Sequence, residues 1–136
     1  MFLLDTNVVS ELRRRERADP NVGAWADSLP PADMFISSVT ILELETGALL
    51  LGRRDERQGR LIQQWIEARV LPTFADRILP VDTAVARRCA ALQVPNPRPY
   101  RDSLIAATAI VHGLTVATRN RTDFEAMEIP VLNPWD

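Results

Sequence analysis

The chain has 136 residues, of which 46% are hydrophobic, and carries a formal net charge of −2. These values fit one globular domain, residues 1–136, and exclude a protein that binds nucleic acid through overall positive charge. The single cysteine excludes an intrachain disulfide, and no apolar run approaches a membrane span, so we expect a cytoplasmic protein without a membrane segment.

Short apolar runs alternate with helical patterns along the whole chain. The predicted elements are a strand at 2–4, a helix from Val8, a helix at 21–29, a strand at 34–36, a helix at 38–52, a helix at 61–68 that ends before Leu71, a strand at 77–81, a helix at 83–92, a loop at 94–100, a helix at 103–113, and strands at 114–117 and 131–132. The helix at 103–113 is apolar on almost every side, which predicts a buried central helix ended by Gly113.

The alternation of strands and helices indicates the fold class. The predicted strands are almost entirely apolar and are joined by long connections, which is typical of parallel strands covered by helices on both faces. We therefore predict an α/β fold, a three-layer α/β/α sandwich with a mainly parallel sheet of four or five strands. Cys89 is expected to be a small buried residue, and the lone His112 makes a Ser-His-Asp or Cys-His mechanism unsupported.

Acidic residues follow the predicted strands in four separate segments. Asp5 comes directly after the first strand, Glu43 lies early in the helix after the second, Asp102 opens the buried helix, and Asp123 follows the strand that ends at Ala117. Binding crevices of open α/β sheets lie at the carboxyl ends of the strands. We therefore expect these four carboxylates to converge.

Each acid also has a structural explanation when it is considered alone. Asp5 and Asp102 could cap helices, and Asp123 could be an ordinary turn residue. Glu43 is harder to explain, because its apolar neighbours leave a charge that needs solvent or a partner. Glu45 points to another face of the helix and is predicted to be a surface residue.

Four converging carboxylates repel one another unless a cation lies among them. Oxygen ligands without histidine or cysteine favour a hard cation such as Mg²⁺ or Mn²⁺. The chemistry that matches such a site is phosphodiester hydrolysis by a metal-activated water, with either one or two ions. The sequence therefore predicts a metal-dependent phosphodiesterase site.

Four sequence segments, LLDTNVVSEL, SVTILELETG, RDSLIAATAIVHGLTVATRNRTDF and LNPWD, together resemble PIN-domain ribonuclease toxins of the VapC and FitB type, from type II toxin–antitoxin systems. The resemblance runs from Phe2 to Trp135. It implies that the family's acidic quartet falls on the same four acids. The polar residues that would support them by hydrogen bonds are Thr6, Asn7, Thr118 and Asn120.

The resemblance implies a Mg²⁺- or Mn²⁺-dependent endoribonuclease that cleaves RNA. It further implies a homodimer and a cognate VapB-like antitoxin that inserts a basic residue among the acids. Arg119 matches the family motif without a clear role. This chain departs from the family at Ser103, and Arg98, Tyr100 and Arg101 make the approach to Asp102 unusually basic and aromatic.

Three alternatives remain at this point. The first is a PIN-fold DNA or structure-specific nuclease, because metal-assisted phosphate cleavage does not depend on the 2′-hydroxyl. The second is a PIN-like binding module whose catalytic function has decayed, against which the intact quartet counts. The third is a haloacid-dehalogenase-like phosphatase, but the D-x-D opening of that class is missing because Asn7 stands at the second position.

Overall fold

The computed structural model describes residues 1–136 and contains one five-stranded sheet with helices on both faces. The strands are β1 (Phe2–Leu4), β2 (Met34–Ser37), β3 (Ile78–Leu79), β4 (Thr115–Ala117) and β5 (Val131–Leu132). The helices are α1 (Thr6–Glu11), α2 (Pro20–Asp27), α3 (Ser38–Gly52), α4 (Glu56–Trp65), α5 (Leu71–Thr73), α6 (Thr83–Leu92), α7 (Tyr100–His112) and α8 (Arg121–Glu125). No helix is long and apolar enough to cross a membrane.

The strand order is β3-β2-β1-β4-β5, and all four pairings are parallel. The predicted three-layer α/β/α sandwich is confirmed. The chain runs outward from β1 to β2 and β3, then returns to place β4 on the other side of β1. The order of the strands therefore reverses between β1 and β4, where open α/β sheets bind their ligands.

Two hydrophobic cores cover the two faces of the sheet. Leu3 and Leu4 are neighbours in β1 but belong to different cores, because successive side chains of a strand point to opposite faces. Both side chains are almost completely buried. The strand that leads into the predicted site is therefore packed on both faces.

Helix α7 is the buried central helix that the sequence predicts. It ends at Gly113, whose φ of +68° is the left-handed conformation that favours glycine at a helix terminus. The helix begins at Tyr100, three residues before its predicted start, and follows Pro99, which has no side-chain capping bond. The prediction that Asp102 opens the helix was therefore wrong: Asp102 lies inside the first turn, and its carboxylate is free for other contacts.

The segment after α3 also differs from the prediction. The helical path does not end before Leu71, but continues through a π-helical stretch, Ile66–Val70, into α5. Pro72 lies in the first turn of α5, directly after the π-helical stretch. Helices α3 and α4 pack closely, since a Cβ on Gly59 would lie 2.5 Å from the Cα of Gly52.

Three single residues complete the comparison with the sequence. Cys89 is buried, as predicted. His112 is exposed at the end of α7. Asp123 lies in the short helix α8, which the sequence pattern did not predict, because five residues with one buried side chain carry too little periodicity.

Candidate active site

The polar centre of the molecule lies where β1 and β4 end side by side. The Asp5 amide donates to the carbonyl of Ala117 at 2.9 Å, which extends the β1–β4 pairing by one residue. The chain then leaves the sheet, and the Asp5 side chain caps α1 by accepting a hydrogen bond from the Thr6 amide. The predicted capping role of Asp5 is confirmed, and its carboxylate also faces the carboxyl edge of the sheet.

The Asp5 carboxylate is completely buried and accepts four hydrogen bonds. The donors are the Thr6 amide at 2.8 Å, the Thr118 hydroxyl at 2.8 Å, the Asn7 side-chain amide at 3.4 Å and the Arg101 guanidinium at 2.7 Å. A buried carboxylate is stable only when hydrogen bonds or a cation compensate its charge. The surroundings of Asp5 provide both.

Glu43 reaches the same centre from the second turn of α3. Ser37 ends β2 and caps this helix, accepting a hydrogen bond from the Val39 amide at 3.0 Å. The Thr6 hydroxyl donates to Oε1 of Glu43 at 2.5 Å and lies 3.1 Å from the Thr40 hydroxyl. Thr6 therefore connects Asp5, through its amide, to Glu43, through its hydroxyl.

Arg101 brings the acids of three segments together. Its Nη2 donates to Asp5 at 2.7 Å, its Nε donates to Glu43, and its Nη1 donates to Asp102. The predicted convergence of these three carboxylates is thus present around one guanidinium. The sequence analysis noted that Arg101 makes this approach basic but did not place it among the acids. Its position directly before a predicted ligand, in the first turn of α7, was the available signal.

The pKa of Arg101 reflects this environment. Burial alone lowers the pKa of a guanidinium, but the hydrogen bond that Arg101 donates to Glu43 and the negative charges of Asp5 and Glu43 outweigh this effect. The net result is an Arg101 pKa raised above its usual value. The guanidinium is therefore a permanent cation in the cleft.

The predicted supporting residues contribute in different ways. Thr118 donates to Asp5 and accepts from the Asn120 amide at 3.0 Å, so its hydroxyl is fixed from both sides. Asn7 accepts from the Arg119 amide at 3.3 Å while its Nδ2 faces Asp5. Asn120 contributes only its backbone amide. The side chain of Arg119 lies over the ring of Trp135, 5.1 Å from its centroid.

Asp123 stands apart from the other three acids. It lies in the first turn of α8, is exposed, and forms no side-chain hydrogen bond or ion pair. The structure therefore brings Asp5, Glu43 and Asp102 into one cluster and leaves the Asp123 carboxylate free in solvent.

The three carboxylates are the type of ligand that a hard divalent cation prefers. The spacing of their oxygens, however, matches the guanidinium of Arg101. Oxygens bonded to a guanidinium lie roughly 4 Å from its central carbon, whereas oxygen ligands lie about 2.1 Å from Mg²⁺. Accordingly, no three acidic, histidine or cysteine side chains are close enough to hold a metal ion as they stand. The chemical nature of the three carboxylates therefore fits such an ion, whereas their present spacing fits the guanidinium.

Comparison with known proteins identifies the family and agrees with the fold. Residues 2–129 match the family described as PIN domain. Toxin FitB of Neisseria gonorrhoeae is 41% identical over 140 residues, and the match covers 99% of both chains. VapC ribonuclease Y4jK of Sinorhizobium fredii is 38% identical over 143 residues, covering 100% of this chain and 99% of that protein.

Solved structures agree with these sequence matches. The crystal structure of FitAcB from Neisseria gonorrhoeae superposes with a TM-score of 0.89 at 40% identity, covering 99% of both chains. A toxin–antitoxin complex from Klebsiella pneumoniae gives a TM-score of 0.71 at 28% identity, covering 100% of this chain and 99% of that one.

Proposed function

The chain belongs to the PIN-domain family, and from this membership we propose that it is a metal-dependent endoribonuclease and the toxin of a toxin–antitoxin pair. The observation that carries the proposal is the convergence of Asp5, Glu43 and Asp102 on one positive charge, the guanidinium of Arg101. Full-length similarity to proteins named as a ribonuclease and as a toxin supports the nuclease activity and its biological role.

Asp5, Glu43 and Asp102 would hold the Mg²⁺ or Mn²⁺, with Asp123 as a further ligand, directly or through water. When bound, the ion supplies Lewis-acid activation of the scissile phosphate and of the attacking water. The protein's part is to orient these carboxylates. Hydrogen bonds that fix metal-binding carboxylates are typical of such centres, and here the hydroxyls of Thr6 and Thr118 supply them.

Cleavage of single-stranded RNA by the purified, antitoxin-free chain tests the proposal. We expect cleavage with Mg²⁺ or Mn²⁺, none in EDTA, and none after Asp102→Asn. Glu45→Gln is the matched control, because Glu45 lies on the same helix as Glu43 but forms no hydrogen bond or ion pair, and it should cleave like the wild type. Undiminished cleavage by the Asp102 variant would refute the catalytic assignment, and cleavage of DNA alone would replace it with the DNA-nuclease alternative.

We also propose a VapB-like antitoxin as the partner. Asp5, Glu43 and Asp102 together with Arg101 leave two negative charges in the cleft, which complements a basic side chain of a partner. The Klebsiella pneumoniae structure, similar over its full length, is a toxin–antitoxin complex. Co-expression with a cognate VapB-like antitoxin should give a stable complex in which RNA cleavage is suppressed.

The proposed homodimer has a candidate interface on α3. Leu42 and Leu49 are 64% and 63% exposed and lie seven residues apart, so they share one face of the helix. Large exposed leucines on one face are typical of association surfaces. The mass measured by light scattering should be that of two chains, and Leu49→Glu should reduce it to one.

A further inference from the structure

Arg101 occupies the centre of the carboxylate cluster, where a metal ion would compensate the same charges. Each of its three guanidinium nitrogens donates to a different carboxylate, on Asp5, Glu43 and Asp102. We propose that Arg101 is an internal competitor of the metal ion: its guanidinium holds the metal-free cleft together and has to leave before a divalent cation binds. The inference rests on the proposed function, since it concerns the metal that the function requires.

The charges of the cluster explain why the metal-free protein needs this arginine. Three carboxylates that meet at the same place in the cleft repel one another. The repulsion is strongest where water is excluded, as it is around the buried Asp5. The guanidinium compensates one charge and leaves two. The remaining charge still attracts a divalent ion, so the arginine stabilises the cleft without removing its affinity for metal.

Arg101 also controls access to the deepest ligand. The Asp5 side chain is fully buried, whereas the side chains of Arg101 and Glu43 are 33% and 27% exposed. An ion arriving from solvent therefore meets these outer side chains before it reaches Asp5. The spacing adds a second obstacle, because the carboxylates have to close in from guanidinium distances to metal distances.

Release of the guanidinium has to be a movement and not a loss of its proton. An arginine guanidinium is not deprotonated in proteins, so Arg101 stays charged at every working pH. The long, flexible side chain is one-third exposed at the mouth of the cleft, so it can rotate into solvent while α7 stays in place. The competition is then a two-state equilibrium between arginine in the cleft and metal in the cleft.

Calorimetric titration with Mn²⁺ tests the competition directly, without RNA. Arg101→Met keeps the apolar stem and removes the charge. If the guanidinium fills the cleft about nine tenths of the time, this variant binds Mn²⁺ about tenfold more tightly than the wild type. Arg60→Met is the matched control, because Arg60 is an exposed arginine paired with Glu56 on α4, and its removal should leave the affinity unchanged.

Thermal unfolding gives a second readout with a distinctive pattern. In EDTA the Arg101→Met protein should melt below the wild type, because three carboxylates lose their shared cation. Addition of Mn²⁺ should raise its melting temperature by more than it raises that of the wild type. A structural role of Arg101 alone predicts the first effect but not the second.

If Arg101→Met does not fold, the wild type still provides a test. In protein labelled with ¹⁵N on arginine, the Nε–H of Arg101 donates to Glu43 and should exchange slowly with solvent. Saturation with Mg²⁺ should shift this signal and make its exchange fast. A signal that keeps its metal-free position at saturation overturns the proposal.

The outcomes separate this inference from the proposed function. Equal or weaker Mn²⁺ binding by Arg101→Met, with metal-dependent cleavage intact in the wild type, overturns only the competition. Failure of both proteins to bind Mn²⁺ overturns the competition together with the metal requirement of the nuclease.

Discussion

Asp5 and Asp123 both follow strands of the sheet, yet their surroundings are opposite. Asp5 is fully buried, directly follows β1 and accepts hydrogen bonds from four donors, whereas Asp123 is exposed on the short helix α8 and accepts none. The first carboxylate has its position fixed by folding, and the second remains free to adjust. In the proposed metal site Asp5 would thus be the preorganised half and Asp123 the adaptable half, and substitutions in the two halves should have different consequences.

The largest effect is expected for Asp5→Asn. The amide keeps the size of the side chain but removes the charge at the fixed centre of the cluster, so both Mn²⁺ binding and RNA cleavage should fall below detection. Raising the Mn²⁺ concentration should not restore cleavage. Recovery of RNA cleavage in excess Mn²⁺ would show that Asp5 can be replaced like an adjustable ligand. The proposed difference between the two halves would then be wrong.

An intermediate effect is expected for Thr118→Val, which removes the hydroxyl that donates to Asp5. Loss of a hydrogen bond that orients a metal ligand typically reduces metal affinity or activity about 10- to 100-fold. Thr108→Val is the matched control, because Thr108 is equally buried but donates to the carbonyl of Leu104 within α7. Equal losses of activity in both variants would point to general destabilisation and not to the orientation of Asp5.

The smallest effect is expected for Asp123→Asn. Since this carboxylate is exposed and unpaired, its removal should weaken Mn²⁺ binding by less than about tenfold and leave the melting temperature unchanged. Cleavage should recover in excess Mn²⁺. Asp76→Asn, at an exposed acid before β3, serves as the control for a general loss of surface charge. A loss as severe as that of Asp5→Asn would place Asp123 in the fixed half.

The sequence predicts the sheet, the position of Asp5 and the bounds of α3 well. The apolar run at 2–4 ends in Asp5, and α3 spans the predicted residues Ser38 to Gly52, because burial pattern and terminal residues agree there. The start of α7 is not predictable in this way. Its apolar pattern begins only at Leu104, and the preceding turn, Tyr100–Asp102, follows Pro99 without a capping side chain.

The position of the Arg101 side chain among the acids also could not be predicted from sequence patterns. Its partners Asp5 and Glu43 lie 96 and 58 residues away, so the contact depends on the packing of α7 against the sheet and α3. Residue types and spacing identified which acids could meet. They could not show which cation the chain itself places among them.

The order of the segments around β1 has a consequence for synthesis of the protein. Asp5 is synthesised well before Arg101, Asp102 and Thr118, which complete its surroundings, because Arg101 follows it by 96 residues and Thr118 by 113. Strand β1 likewise receives its partner β4 only when residues 115–117 have been translated. A nascent chain on the ribosome therefore lacks the assembled cluster until residues 101–118 have been translated, and the proposed nuclease site cannot form before then.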